Sequence, residues 1–271
     1  MSEPSYAGGV LGHHRPGEAE RLVLLEATCD PTSAALIDRL PLPRDAVCAV
    51  VGAGNGGLVQ HLADRFPGGR VTATDIDTGF LLARSWPRHV SVVRHDVTTG
   101  ELSAGAYDLV HARAVLTHLP HPERLVVRLA RWLRPGSGRL VVEDPTYAHL
   151  DTGGPAAFTT LLRGCADLLQ RVQGTDHTWA ERSPAALRAA GLVDVTVDRR
   201  TAVVGDDPME DAYWRSCFAR AAPELIARGV LSAAQLARGV ACLDRPGFRH
   251  PTWTVVSCSA RRPDGARGGQ R

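Results

Sequence analysis

The stretch Val47 to Leu58, reading VCAVVGAGNGGL, constrains the fold of this chain more than any other. An apolar run of strand character stops at a glycine cluster. Helical spacing follows, with Leu58, Val59, Leu62, Ala63 and Phe66 recurring on one face. Strand, tight turn and helix is the entry unit of an α/β fold. Glycine at such a turn adopts dihedrals closed to other residues and lets a ligand approach the main chain. The N–H groups at the helix start then face any polar or anionic group lying there. Gly52, Gly54 and Gly57 also satisfy G-x-G-x-x-G, a dinucleotide fingerprint that a ligand-free tight turn meets equally well.

Four further segments follow in order. Arg70 to Asp75 is a second strand closed by an acid, and a carboxylate there can accept both hydroxyls of a ribose. Val90 to Val97 is a third strand with Asp96 just past its end. Ala106 to Arg113 and Leu133 to Asp144, the latter containing Arg134-Pro135-Gly136, come next. In this order and at these intervals, residues 45–145 resemble the class I S-adenosylmethionine-dependent methyltransferases. More narrowly, they resemble the small-molecule methyltransferases of bacterial secondary metabolism, in natural-product and antibiotic biosynthesis.

The resemblance implies a Rossmann-like, seven-stranded, mostly parallel sheet with helices on both faces. Its last strand, Thr252 to Ala260, would run antiparallel between the fifth and sixth. Residues 1–44 would form an N-terminal helical lid and 45–145 the cofactor-binding core. Residues 146–260 would supply a helical substrate cap and the last strands, and 261–271 a disordered tail. Gly52, Ala53 and Gly54 would contact the methionyl part of S-adenosylmethionine. Asp75 would hold the ribose, Ile76 would pack on the adenine, Asp96 would accept from its amino group and the Val97 N–H would meet a ring nitrogen. The backbone at Ala112 would border the methionine ammonium, and Arg21 is placed to reach the methionine carboxylate. Asp75 could instead cap the following helix, and Asp96 could be a turn aspartate.

One departure stands out. The family usually carries Asp or Glu two residues before the first glycine, where this chain has Val50. That carboxylate normally helps orient the methionine end of the cofactor.

For catalysis, holding nucleophile, methyl carbon and sulfur in line is the main requirement, and positioning of this kind contributes roughly 7–11 kcal/mol. His118, just beyond the fourth strand, is the candidate general base, with a structural hydrogen-bonded role as its alternative. The candidate substrate-pocket residues are His13, Arg113, Asp144, Tyr147, Trp179 and Trp214, with His177 and Phe218 beside them. Arg113 could instead tie its loop to the lid.

Composition narrows the alternatives. All 31 Lys-plus-Arg positions are arginine, so Schiff-base, pyridoxal-phosphate and P-loop lysine chemistry are excluded. A net charge of +2, without a basic patch, points away from nucleic-acid and membrane surfaces. The six cysteines lack C-x-x-C spacing and the eleven histidines lack H-x-x-x-H spacing, so reduced thiols, no metal site and a cytoplasmic protein are expected. The N-terminal helices leave a homodimer contact open. Competing functions are a cofactor-binding enzyme that catalyses cyclisation or decarboxylation, a cofactor-free degenerate homologue, and an NAD-dependent dehydrogenase. The dehydrogenase would leave Asp96 and Arg134-Pro135-Gly136 unexplained.

Within the chain, Glu18 to Cys29 reads as one helix and Asp30-Pro31 as the start of a second, with Asp as N-cap. Ser183-Pro184 reads as the start of a short helix ending at Gly191.

Overall fold

The computed structural model describes residues 9–12, 14–148 and 153–264. Seven strands form one sheet: β1 (Val47–Val51), β2 (Arg70–Asp75), β3 (Val90–Arg94), β4 (Leu109–Arg113), β5 (Arg139–Thr146), β6 (Val193–Val204) and β7 (His250–Arg261). Their order is β3-β2-β1-β4-β5-β7-β6. The β1–β2, β1–β4, β2–β3 and β4–β5 pairs are parallel. Between β6 and β7, Thr196 meets Ser259 and Thr201 meets Thr254, both at 2.8 Å. One number rises as the other falls, so this pair is antiparallel. The mixed, mostly parallel sheet expected from the resemblance is present, with the last strand in the expected slot.

Eight α-helices lie among the described residues: α1 (Glu18–Asp38), α2 (Gly57–Arg65), α3 (Gly79–Leu82), α4 (Pro122–Trp132), α5 (Ala156–Gln173), α6 (Trp179–Ala189), α7 (Pro208–Ala227) and α8 (Ala233–Val240). None is long and apolar enough to cross a membrane. The expected tail beyond Asp264, the N-terminal segment before Gly9 and His13 lie outside the described residues.

The chain divides into two compact units. A sheet unit comprises Asp30–Asp144, Trp179–Asp198 and the residues from Val256 onward. One face of its sheet buries Ala49, Val51, Val110, Ala112, Leu140 and Val142 with Leu125, Val126 and Leu129 of α4 and Trp179 of α6. The other face buries Cys48, Val50, Val71, Leu109 and Val141 with Leu36 and Ile37 of α1 and Leu58, Val59 and Leu62 of α2. Alternate strand residues thus serve opposite cores, as the period of two requires. The second unit comprises the residues up to Cys29, Pro145–Thr178 and Arg199–Val255. Its core is rich in rings, with Phe158, Tyr213, Trp214, Phe218 and Trp253 buried together.

Two helix boundaries differ from expectation. The N-terminal pair of helices is one continuous α1 with Pro31 inside it. Proline there removes the N–H that would bond to Ala27 and costs about 3 kcal/mol in a free helix. Burial of Leu22, Cys29, Ser33, Leu36 and Ile37 along the helix offsets that cost. Asp30 does not start a helix; its carboxylate accepts from Arg113 Nη2. Likewise α6 begins at Trp179, and Ser183 is not an N-cap: its hydroxyl donates to the Ala180 carbonyl at 2.8 Å.

Candidate functional site

The carboxyl ends of β1, β2, β3 and β4 bring together most of the predicted cofactor residues, all within the sheet unit. Gly52, Gly54 and Gly56 have φ of 64°, 57° and 91°, in the left-handed region that favours glycine. At Gly52 a Cβ would stand 2.3 Å from Val115 Cγ2, so the close approach also requires glycine. Gly56 is the N-cap of α2. The Ala53 N–H donates to the Thr74 carbonyl at 2.9 Å and pins the turn to β2.

Asp75 is buried at the end of β2. Its Oδ2 accepts from the Gly54 N–H at 2.9 Å and its Oδ1 from the Asp77 N–H at 3.1 Å. The carboxylate therefore joins the glycine turn to its own loop. The N-cap of α3 is Thr78 instead. A carboxylate has about four lone-pair sites, so this bonding still leaves capacity for hydroxyl donors. Ile76, next along, is 45% exposed, an unusual state for isoleucine unless the surface meets a ligand. Asp96 Oδ1 accepts from the Thr98 N–H at 2.8 Å and the Thr98 hydroxyl at 2.6 Å. This Asx turn leaves Oδ2 for another donor, and the Thr98 hydroxyl holds the carboxyl below its usual range. Val97 is buried, and its carbonyl accepts from Arg128 Nη1 at 2.6 Å. Ala112 is fully buried on β4, in register with Val51 and Val142.

Beyond β4 the chain turns sharply. Ala114 has φ of 52°, a conformation that costs a non-glycine residue about 1–2 kcal/mol. Its N–H donates to the Glu143 carbonyl at 2.8 Å. A 3-10 turn over Leu116–His118 follows, with His118 half-buried. Asp144, at the end of β5, holds this turn: its carboxylate accepts from the N–H groups of Thr117 and Val115 and from Trp179 Nε1. Burial raises the Asp144 carboxyl to about 7, against those three bonds. Asp144 and Trp179, both predicted pocket residues, are thus bonded to each other.

The sequence reading missed a second polar centre on the Val50 face of the sheet. Register places Val50 beside His111, His111 beside Val141, and Arg113 beside Glu143. Val50 itself is buried in the apolar core. The carboxylate on that face is Glu143 of β5. Its Oε2 accepts from Ser33 Oγ at 2.5 Å and His111 Nε2 at 2.7 Å, and its Oε1 from Ser257 Oγ at 2.6 Å. Burial pushes the carboxyl up, but the His111 bond, the fields of His111 and Arg113, and the Ser257 bond outweigh it and hold it at about 2. Arg113 Nη1 donates to Ser33 Oγ at 2.8 Å, so Arg113 ties β4 to α1. An acid inside the apolar run Leu140-Val141-Val142-Glu143 was the available signal.

The remaining predicted residues lie in the other unit. Arg21 is 3% exposed, and its Nε and Nη2 donate to Glu18 at 2.8 and 2.7 Å. Tyr147 stands edge-on to His177 at 4.9 Å and to Trp214 at 6.5 Å.

Residues 50–140 match the family model of a methyltransferase domain. Trans-aconitate 2-methyltransferase from Variovorax paradoxus is 35% identical over 111 residues, which cover 41% of this chain and 42% of that protein. The chain thus spans under half the length of this curated relative. Among solved structures, geranyl diphosphate methyltransferase in complex with SAM gives a TM-score of 0.53 at 17% identity, covering 96% of each chain. The 4+2 cyclase SpnF gives 0.55 at 19% identity, covering 87% of this chain and 81% of that one. These two show a shared fold. The glycine turn, the two strand-end acids and the family match fall in one span, and through it the chain belongs to the class I S-adenosylmethionine-dependent methyltransferases.

Proposed function

We propose that the chain transfers a methyl group from S-adenosylmethionine to a small molecule, a natural product or biosynthetic intermediate. The observation that carries this reading is the Asp75 carboxylate bonded to the Gly54 N–H, with Ile76 exposed beside it and Asp96 at the next strand end. Asp75 would receive the ribose hydroxyls, Ile76 the adenine face and Asp96 Oδ2 the adenine amino group. Gly52, Ala53 and Gly54 would face the methionyl portion. When bound, the cofactor supplies a methyl group on a sulfonium, whose departing sulfide is neutral.

The protein's own contribution is then positioning. Asp144 fixes the turn that carries His118, which places an imidazole beyond β4 where it can take a proton from the acceptor. The printed substrate of one relative, trans-aconitate, is a carboxylate, which supports a small polar acceptor.

Titration of the purified chain with S-adenosylmethionine, and separately with S-adenosylhomocysteine, tests the reading. Micromolar binding of both is expected, and Asp75→Ala is expected to weaken it at least about a hundredfold, or about 2.7 kcal/mol. No binding at millimolar ligand would overturn it. Val50 favours a second reading, in which the cofactor is bound but used only for its charge. Tight binding without S-adenosylhomocysteine formation across an acceptor screen would select that reading.

A further inference from the structure

The ring-rich unit contains buried hydrogen-bond donors with nothing to donate to. Trp214, on α7, is 3% exposed and Trp253, on β7, is 5% exposed. The Nε1–H of each is fully buried and has no partner among the described residues. Their rings lie 5.4 Å apart, nearly perpendicular, and Tyr213 stacks on Trp253 at 5.0 Å. A buried indole N–H normally finds an acceptor, so two orphaned neighbours mark a place where an acceptor is supplied from outside.

The same cluster has a cation. Tyr213 and Cys217, one helical turn apart on α7, both feel the field of Arg21. Glu18 takes Arg21 Nε and Nη2, leaving Nη1. Glu18 also divides its charge, since Arg220 Nη2 lies 3.0 Å from its other face. One carboxylate shared between two guanidiniums leaves the Arg21 charge only partly balanced in a setting of low dielectric.

We propose that the cluster of Arg21, Tyr213, Trp214 and Trp253 binds the methyl acceptor, and that the acceptor is a flat aromatic or conjugated molecule bearing one carboxylate. The rings supply apolar walls for the flat body. The two indole N–H groups and the guanidinium supply donors and charge for a single anionic group, too few for a tricarboxylate. The substrate class rests on the methyltransferase reading above, whereas the binding cluster itself does not.

The test is calorimetric titration of the full chain, without cofactor, with benzoate, trans-cinnamate and 4-hydroxyphenylacetate, each against its primary amide. At least one carboxylate is expected to bind, and its amide at least about tenfold more weakly. Trp214→Phe and Trp253→Phe keep the ring and delete the N–H, and each is expected to weaken carboxylate binding about tenfold. Unchanged S-adenosylmethionine affinity in both variants shows that they are folded and separates this inference from the cofactor reading. The inference is overturned if all three carboxylates fail up to about 10 mM while S-adenosylmethionine binds. It is equally overturned if amides bind as well as acids, or if both Phe variants bind like the parent.

Discussion

In the sheet unit, the buried Glu143 carboxylate is met by Ser33, His111 and Ser257, while in the ring-rich unit the indole N–H groups of Trp214 and Trp253 meet no acceptor among the described residues. Both interiors are buried, so the difference is not exposure. A fully bonded polar centre makes a scaffold: it fixes α1, β4, β5 and β7 at one point and leaves no bond for a ligand. An under-bonded centre carries an energetic debt that a ligand can settle. The contrast assigns rigidity to one unit and recognition to the other.

The sharpest way to break the comparison is Glu143→Gln. Removing one partner of a buried pair costs about 3–5 kcal/mol, so urea denaturation should show a loss in that range. The acid limb gives the same answer independently. The Glu143 carboxyl is held at about 2, below its ordinary 4.5, so its contribution is fully present above pH 4.5 and is lost as pH falls toward 2. The variant should flatten that limb. A variant as stable as the parent would mean that Glu143 is not a scaffold.

Its neighbour in sequence should behave oppositely. Asp144 is raised from 3.8 to about 7, so stability is greatest below pH 3.8 and falls as pH rises through 7. The window amounts to roughly 3 kcal/mol as an upper bound. Asp144→Asn should remove this slope in stability measured from pH 4 to 7, whatever its effect on absolute stability.

Gly52→Ala comes next. Its φ of 64° and the 2.3 Å approach to Val115 predict a loss of about 1–3 kcal/mol in thermal or urea unfolding, together with weaker S-adenosylmethionine binding. Thr98→Ala is the mildest. It deletes one hydroxyl from Asp96, and should cost under about 1 kcal/mol and change cofactor affinity only a few-fold by titration.

The same contrast explains what was legible beforehand. The sheet unit's landmarks are properties of short segments: a glycine run at Gly52 to Gly57, acids at strand ends, and alternation along β4 and β5. The pattern of β-strands and the Asp75–Gly54 junction could therefore be anticipated from local sequence. Glu143 could not, because its partners Ser33, His111 and Ser257 come from α1, β4 and β7, which only the fold brings together. The helix boundaries at Pro31 and Ser183 were misplaced for a related reason: packing along α1 and α6 overrode a local stop signal. Trp214 was visible as a candidate, but Trp253 sits in an ordinary strand pattern, and its orphaned N–H is a fact of packing. His118 was found by position alone, and its support from Asp144 spans two strands.

The partners of Glu18 are both guanidiniums, in a chain whose sequence has no lysine. Acetylation, glycation and carbamylation act on side-chain amines, and here they have none to act on. Alkaline medium is equally without effect, since guanidinium keeps its proton to beyond pH 12. The cation beside the aromatic cluster is therefore set at translation and is not adjustable afterwards by amine chemistry. Any tuning of what that cluster accepts has to come through the surrounding side chains, and so through mutation.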